Sequence, residues 1–312
     1  MKAAVYHQYG GPEVLGLTEL AKPQPKAHEL LIKVEASTVA AGDVRVRASD
    51  FPPLFWLPAR IIFGLFKPKK PVLGHEFSGR VEAVGAAVSQ FKPGDAVFGT
   101  TTLLPQGAYA EYVCVPEKAK NCVVAEAPEK LELRKAAALP IGAMTALFLL
   151  EKAKLDKGQK LLVYGASGSV GTFAVQMARN MGAEVTAVCS TANVEMVKAL
   201  GAQKVIDYKR EDYTQSGAVF DVVFEAVGKT SKAKAKSVLK KGGRYVSIHM
   251  FTSENTDKLK TIGKMVDEGK LKALIDREYP LEEVVAAHRY VDTGRKRGNV
   301  LINLTPQQKP SA

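Results

Sequence analysis

Cysteine is scarce in this chain: Cys114, Cys122 and Cys189 are the only three in 312 residues. They are far apart, form no CxxC pair and match no Cys/His zinc spacing, so a disulfide framework and a structural zinc module are both unexpected. Tryptophan occurs once, at Trp56. No apolar run approaches the roughly 18 residues that a membrane-spanning helix needs, and Met1 to Gly10 lacks the apolar core of a secretion signal. The expectation is therefore no membrane span and a cytoplasmic location. There is no internal repeat and no low-complexity segment. The formal charge of +12 suits nucleic acid, an anionic surface or an anionic cofactor. Its densest groups, Lys67-Lys69-Lys70, Lys229 to Lys241 and Arg295-Lys296-Arg297, make no long aromatic-interleaved stripe. They read as solvated faces, and nucleic acid is not an expected partner.

What is present is enough apolar residue, 46%, for the cores of two domains. The richest stretch runs from Lys160 to Ser190. Leu161, Leu162 and Val163 form a short unbroken apolar run, as a strand buried on both faces requires. Gly165, Gly168 and Gly171 follow, then a helical pattern with Phe173, Val175 and Met177 that stops near Gly182, then a second strand from Glu184 to Cys189. This is a βαβ unit of dinucleotide-binding length, with Ala166 where the first glycine of GxGxxG usually stands. Glycines let backbone approach a pyrophosphate, and the helix N-terminus offers unpaired N–H groups and partial positive charge.

The residues after the second strand, Ser190-Thr191-Ala192-Asn193, hold no carboxylate before Glu195. An NAD site usually places an acid there for the ribose 2′-OH. Hydroxyls at Ser190 and Thr191 would donate to a 2′-phosphate instead, which points to NADP(H); Ser190 also suits the cap of the next helix.

Residues 1–125 alternate short apolar runs with Gly and Pro, with strands expected at 2–7, 30–36, 72–84 and 96–100, which argues for a β-rich, barrel-like domain. The segment from Arg47 to Lys70 reads as a long apolar loop with Phe51, Phe55, Trp56, Ile61, Ile62 and Phe66, containing a short helix around Leu57 to Leu65. Such a loop suits a substrate-pocket wall or a subunit contact. Helices are expected at 133–154, broken at Pro140. Then come strands at 160–164, 184–189, 204–206, 219–225 and 243–249, alternating with helices at 169–181, 193–200 and 231–240, the pattern of a doubly wound parallel sheet. Helices at 257–267 and 281–291 and a strand at 298–304 close the chain.

Several segments together resemble the medium-chain dehydrogenase/reductase superfamily, in its zinc-independent quinone oxidoreductase-like branch: MKAAVYHQYGGPEVLGL, LGHEFSGRVEAVGAAVSQFKPGDAVFG, AAALPIGAMTAL, YGASGSVG, CSTANVEMVKALGAQKVIDY and YPLEEVVAAHRYVDTGRKRGNVLI. The resemblance covers nearly the full length. It implies an α/β protein with a GroES-like β-rich catalytic domain, 1–125 and 270–312, and a Rossmann domain, 126–269, with NADPH in the cleft. Carried over residue by residue, Gly165, Ser167, Gly168, Ser169 and Val170 match the pyrophosphate turn. Ser190, Thr191 and Tyr208 match the 2′-phosphate and adenosine surroundings, and Thr145 a threonine near the nicotinamide amide. Val227, His249 and Phe251 follow later strand ends, where open sheets place ligands, and Asn299 belongs to the returning segment. Relatives often carry Arg or Lys at the position of Ala192, with Lys209 and Arg210 available to compensate here.

Catalytic zinc needs three convergent ligands. His75 and Glu76 resemble a pair found in zinc alcohol dehydrogenases, but Ala40 replaces the cysteine three positions before Asp43. Without a metal an alkoxide is harder to stabilise, whereas hydride addition to a quinone or an enone spreads charge into a conjugated product. The implied activity is NADPH-dependent reduction of quinones or α,β-unsaturated carbonyls, with Asp43, Arg45, His75 and Tyr109 as the polar candidates for the catalytic site. Asp43 and Arg45 also suit a structural ion pair, and Tyr109 suits strand packing. The alternatives are a zinc-type alcohol dehydrogenase, or a non-catalytic NADPH-binding protein with an RNA-binding role. A homodimer formed by strand-edge pairing is implied by resemblance alone.

Overall fold

The alternation of inward and outward side chains along the first third of the chain folds into antiparallel sheet. The computed structural model describes residues 1–305 except 103, 120, 121 and 251; Phe251 therefore lies outside the described residues. In chain order the elements begin with β1 (Lys2–Val5), β2 (Gly16–Glu19), β3 (Glu29–Thr38), α1 (Ala41–Ala48), α2 (Pro53–Phe63), β4 (Glu76–Val84), β5 (Ala96–Thr100), β6 (Tyr112–Pro116), β7 (Val124–Glu126), α3 (Leu133–Ala136) and α4 (Pro140–Lys152). There follow β8 (Lys160–Tyr164), α5 (Ser169–Asn180), β9 (Glu184–Cys189), α6 (Val194–Ala199), β10 (Lys204–Asp207), β11 (Phe220–Glu225), α7 (Lys232–Ala235), β12 (Leu239–Ser247), α8 (Thr256–Asp267), β13 (Ile275–Pro280), α9 (Val284–Asp292) and β14 (Asn299–Asn303).

Two compact units result. One comprises Met1–Pro140, Glu254–Gly263 and the segment from Ile275; the other comprises Ile141–Ser253 and Lys264–Leu274. The sequence had assigned 254–263 to the cofactor domain. It groups instead with the first unit, where Glu254 accepts a hydrogen bond from the Thr100 hydroxyl and Gly263 lies beside Phe98.

In the first unit a seven-stranded sheet runs β13-β14-β3-β4-β5-β7, with β6 also paired to β3. Leu30, Ile32 and Val34 point inward from β3 at the two-residue period of a strand and join Phe77, Val113 and Ile302 in one core. The returning β14 pairs antiparallel with β3, Ile302 opposite Ser37, so the last strand completes a sheet begun by the third. In the segment read as a long loop with a short helix at 57–65, the helix starts earlier: α2 spans Pro53–Phe63, following the end of α1 at Ala48. Pro53 sits in the first turn of α2, where its missing N–H has no partner to lose, and Gly64 at φ +125° ends the helix.

The second unit holds five parallel strands in the order β10-β9-β8-β11-β12, the doubly wound arrangement expected. Leu162, Val188, Ile206 and Val223 form its core. The helix expected at 231–240 shrinks to α7 and a single 3-10 turn, and β12 starts at Leu239 rather than near 243. Lys232, Lys234 and Lys236 crowd like charge on that segment, and the pairing of Leu239 with Phe220 of β11 claims the chain for the sheet.

Helix α5 lies close to β8 because of glycine. A Cβ at Gly171 would sit 2.2 Å from the Gly165 carbonyl oxygen and 2.8 Å from Ala166 Cα, whereas one at Gly168 would find no protein atom nearer than 3.7 Å. Gly171→Ala should therefore cost about 1–3 kcal/mol of stability through overpacking. Gly168→Ser should cost nothing and add a few tenths of a kcal/mol, because serine caps a helix better than glycine. Chemical denaturation of the two variants beside wild type checks both.

Candidate active site and cofactor cradle

The carboxyl ends of the five parallel strands carry most of the residues singled out in the sequence. After β8, Gly165 adopts φ +82°, a conformation that favours glycine. Its N–H and that of Ala166 both donate to the Val188 carbonyl at 3.1 Å, which ties the turn to β9. Gly168 is the N-cap of α5, and no side chain caps that end. Ser167, Gly168, Ser169 and Val170 are all partly accessible there. An uncapped helix start behind a glycine with open space is a cradle for an anionic group. Thr145, half-buried, lies in α4.

Sheet order reverses between β8 and β11, and there a Cβ on Gly165 would meet the Val227 side chain at 2.5 Å. Val227 is held by a residue the sequence reading missed. Glu225, fully buried at the end of β11, accepts the N–H groups of Val227 (2.8 Å), Gly228 and Lys229 (3.2 Å) and the Ser247 hydroxyl (2.8 Å). Ser247 also accepts the His249 N–H, and the His249 ring covers Gly228.

The ends of β9 and β10 correct one expectation. A carboxylate does stand beside Ser190 and Thr191: Asp207 accepts the Thr191 hydroxyl at 2.5 Å. That hydrogen bond first, then the Lys209 N–H and the charges of Arg210 and Lys209, hold Asp207 below the usual carboxylate range. The Thr191 proton is thereby committed and is not available to a phosphate. Ser190 differs, because its oxygen accepts from Asn193 Nδ2 (3.2 Å) and its own proton has no acceptor among the described residues. Tyr208 is 54% exposed next to them.

In the first unit, Asp43 and His75 come together from 32 residues apart. Asp43 is fully buried in α1. Its carboxylate accepts from the Ala40 N–H (2.9 Å), the Gly74 N–H (3.1 Å) and His75 Nδ1 (2.6 Å). Burial by itself would raise Asp43. The His75 contact and the Ala40 N–H outweigh burial and keep the acid below its ordinary value. Since the carboxylate can only accept, Nδ1 carries a proton and Nε2 is the ring atom left for exchange.

Arg45 is not Asp43's ion-pair partner; it is exposed on the outer side of α1. Tyr109 is fully buried and its hydroxyl is consumed, which makes it a structural residue. Arg47 Nη1 donates to His288 Nδ1 (3.1 Å), so His288 carries its proton on Nε2 and donates to the Tyr109 hydroxyl (3.1 Å), which donates to the Thr38 carbonyl (3.0 Å). Asp292 closes the chain on Arg47 at 2.9 Å. Burial, with Arg47 adding to it against Asp43, pushes His288 down to about 3.

Lys70 and Glu254, also unread in the sequence, join the Asp43–His75 neighbourhood. Lys70 Nζ donates to the Thr101 carbonyl at 2.9 Å, and burial lowers it to about 8 against the attraction of Asp43 and Glu254. Burial raises Glu254. Asn299, buried, opens β14.

A sheet of this order with a glycine turn at its switch point is the frame of a dinucleotide-binding enzyme. Residues 26–128 match the family profile of the alcohol dehydrogenase GroES-like domain, and residues 169–273 that of zinc-binding dehydrogenases. A 2-methylene-furan-3-one reductase of Solanum lycopersicum is 34% identical, covering 98% of this chain and 80% of that protein. An NADPH-dependent alkenal/one oxidoreductase of Arabidopsis thaliana, chloroplastic, is 31% identical with the same coverage. The solved quinone oxidoreductase of Coxiella burnetii superposes with a TM-score of 0.87 at 29% identity, covering 98% of this chain and 99% of that one. The chain belongs to the medium-chain dehydrogenase/reductase superfamily, in its quinone oxidoreductase-like branch. It is an oxidoreductase that uses a nicotinamide cofactor on a small-molecule substrate. No helix among the described residues is long and apolar enough to cross a membrane.

The open turn fits the cofactor's pyrophosphate. Ala40 offers no metal ligand beside His75 and Glu76. No group of three His, Cys, Asp or Glu side chains gathers as a ligand set among the described residues.

His288 generates a pH prediction. Between its unfolded value of 6.5 and about 3, the unfolded chain binds a proton that the folded chain refuses. Stability is thus full above about 6.5 and falls as pH drops towards 3. In His288→Gln, which can keep both hydrogen bonds, urea midpoints should lose that slope between about pH 4.5 and 6.5, where carboxylates contribute little.

Proposed function

We propose that this protein is an NADPH-dependent reductase of quinones and α,β-unsaturated carbonyls that works without a metal. The donor set around His75 carries the reading. With Ala40 at one ligand position and no group of three His, Cys, Asp or Glu side chains gathered among the described residues, the oxyanion of a simple ketone reduction would lack a Lewis acid, whereas an enone or quinone disperses the incoming charge over its own conjugated system. The names of the relatives, a furanone reductase, an alkenal/one oxidoreductase and a quinone oxidoreductase, support the same acceptor class.

NADPH, when bound, supplies the hydride. The N-terminus of α5 and the Gly165–Val170 turn take the pyrophosphate. The free Ser190 proton and the charges of Lys209 and Arg210 favour a 2′-phosphate, and Asp207 does not oppose it strongly because Thr191, Lys209 and Arg210 already satisfy its charge. Glu225 keeps Val227 against the turn. Tyr208 offers an exposed ring to the adenine. Asp43 orients the imidazole so that Nε2 of His75 is the atom that would relay a solvent proton to the enolate or hydroquinone anion left by reduction. Lys70 holds positive charge nearby below about pH 8.

The assay is loss of reduced nicotinamide absorbance with a small quinone, an enone and a simple aldehyde, each with NADPH and with NADH, with and without a chelator. Quinone or enone should turn over with NADPH and ignore the chelator. Tight NADPH binding without turnover of any acceptor would overturn the reading and favour a non-catalytic binding protein. Ser190→Asp should shift preference towards NADH by about tenfold or more, since a carboxylate repels the 2′-phosphate and accepts a 2′-OH. His75→Gln should lower kcat by about a hundredfold while leaving the KM for NADPH unchanged, as loss of a proton-transfer group does.

A further inference from the structure

Helix α2 turns the wrong chemistry towards solvent. A surface helix ordinarily shows polar residues on its outer face. At about 100° per residue, Leu57, Ile61, Leu54, Pro58, Ile62 and Phe55 fall within one sector of about 160°, and no polar residue interrupts it. Leu54 is 81% exposed, and Phe66 just beyond the helix is 89% exposed.

This exposure is built into the fold. The opposite face is tied to the first unit. Ala59 is buried, and Phe63 stacks on Phe51 with ring centroids 5.7 Å apart. Arg60 lies 4.0 Å over the Tyr9 ring and donates to Ser49 Oγ (3.1 Å) and to the Leu65 carbonyl. Tyr9 donates to the Gly64 carbonyl at 2.8 Å. The apolar sector is therefore held outward by its own anchors.

Charge accompanies it. From residue 51 to residue 74 there is no Asp or Glu, and the cations are Arg60, Lys67, Lys69 and Lys70. Lys69 lies against the helix, its ammonium donating to the Ile61 carbonyl at 2.7 Å, and Lys67 is exposed. An apolar outward face with the exposed Lys67 and Lys69 at its rim suits a helix that lies in the headgroup layer of an anionic membrane.

We propose that α2 and the Leu65–Lys67 segment dock this protein on the surface of anionic lipid bilayers, with the apolar sector in the acyl boundary and Lys67 among the headgroups. A second copy of the chain suits the face less well. A symmetric contact would bring the same cations of two chains together, each with a net charge of +12. The inference does not depend on the acceptor proposed above.

The sole tryptophan, Trp56, sits in α2 at 43% exposure and reports on this helix alone. The experiment measures pelleting of the full chain with phosphatidylcholine vesicles and with mixed phosphatidylcholine and phosphatidylglycerol vesicles, together with Trp56 emission. The expected result is pelleting with the mixed vesicles, weakened by salt, with emission moving to shorter wavelength. Leu54→Glu/Ile61→Glu/Phe66→Glu should bind at least about a hundredfold more weakly. Lys67→Gln, which threatens no packing, should bind about fivefold more weakly. Far-UV circular dichroism and nucleotide binding should match wild type in both. No pelleting and no spectral shift for wild type would overturn the proposal, as would undiminished pelleting of the triple variant. A wild-type dimer that the triple variant splits, without vesicle binding, would assign the face to a second copy and overturn it equally.

Discussion

Asp43 carries a negative charge with no access to water, and a buried charge persists only where fixed partners replace its hydration. The Ala40 and Gly74 N–H groups and His75 Nδ1 are those partners. Each satisfies the acid and is positioned by it in return: the start of α1, the turn before β4 and the imidazole are aligned by one carboxylate. Its field reaches further. Burial raises the hydroxyls of Tyr6 and Tyr109, and Asp43 adds to that rise. Burial depresses Lys70, Lys296 and His288, and Asp43 opposes the depression in each. Asp43 thus shares with Glu76, Glu254 and Asp276 the support of two lysines depressed by burial, Lys70 and Lys296.

The second unit uses the same device without a histidine. Glu225 collects three consecutive N–H groups and a serine hydroxyl, and so shapes the loop that presents Val227 to the glycine turn. Asp207 takes the Thr191 hydroxyl and the Lys209 N–H at the neighbouring strand ends. Carboxylates that accept backbone donors hold loops in one conformation at little entropic cost, because short side chains bridge nearby amides. A cofactor cradle built this way keeps the helix start of α5 free for its ligand, since the acids are spent on their own loops rather than on capping it.

Helix α2 shows how conflicting local signals blur the start of an element, expected at Leu57 and found at Pro53. Pro52, Pro53, Pro58 and Pro68 within a short span argue for a loop, yet one proline stands in the first turn, where it is tolerated, and the segment is helical around the other. Its apolar residues point outward because Arg60, Phe63 and Ala59 secure the inner face. An apolar stripe in sequence reports amphipathicity; which side meets the protein depends on anchors contributed from elsewhere in the chain, here Tyr9, Ser49 and Phe51.

Local, contiguous signals sufficed for the parallel sheet and its nucleotide turn. The buried run at Leu161 to Val163, the spacing of Gly165, Gly168 and Gly171 and the periodicity of α5 all act over fewer than about twelve residues, within which strand and helix preferences are expressed directly. The doubly wound parallel class of the sheet followed from the alternation of strand and helix, and the resemblance put Val227 and His249 after its later strands; the strand order came from the structure. Pairings between distant residues were not legible. Asp43 meets His75 across 32 residues, Arg47 meets His288 across 241, Thr191 meets Asp207 across 16 and Thr100 meets Glu254 across 154. No local periodicity encodes such contacts. They exist because β14 pairs with β3, because β9 pairs with β10 and because the chain returns to its first sheet. The sequence by itself determined the class of fold and the place of the glycine turn before α5. Tertiary packing decided which polar residues are spent on structure, as Tyr109 and Thr191 are, and which retain a free proton or an exchangeable nitrogen, as Ser190 and His75 do, because those roles depend on partners that only the folded sheets bring within hydrogen-bonding reach.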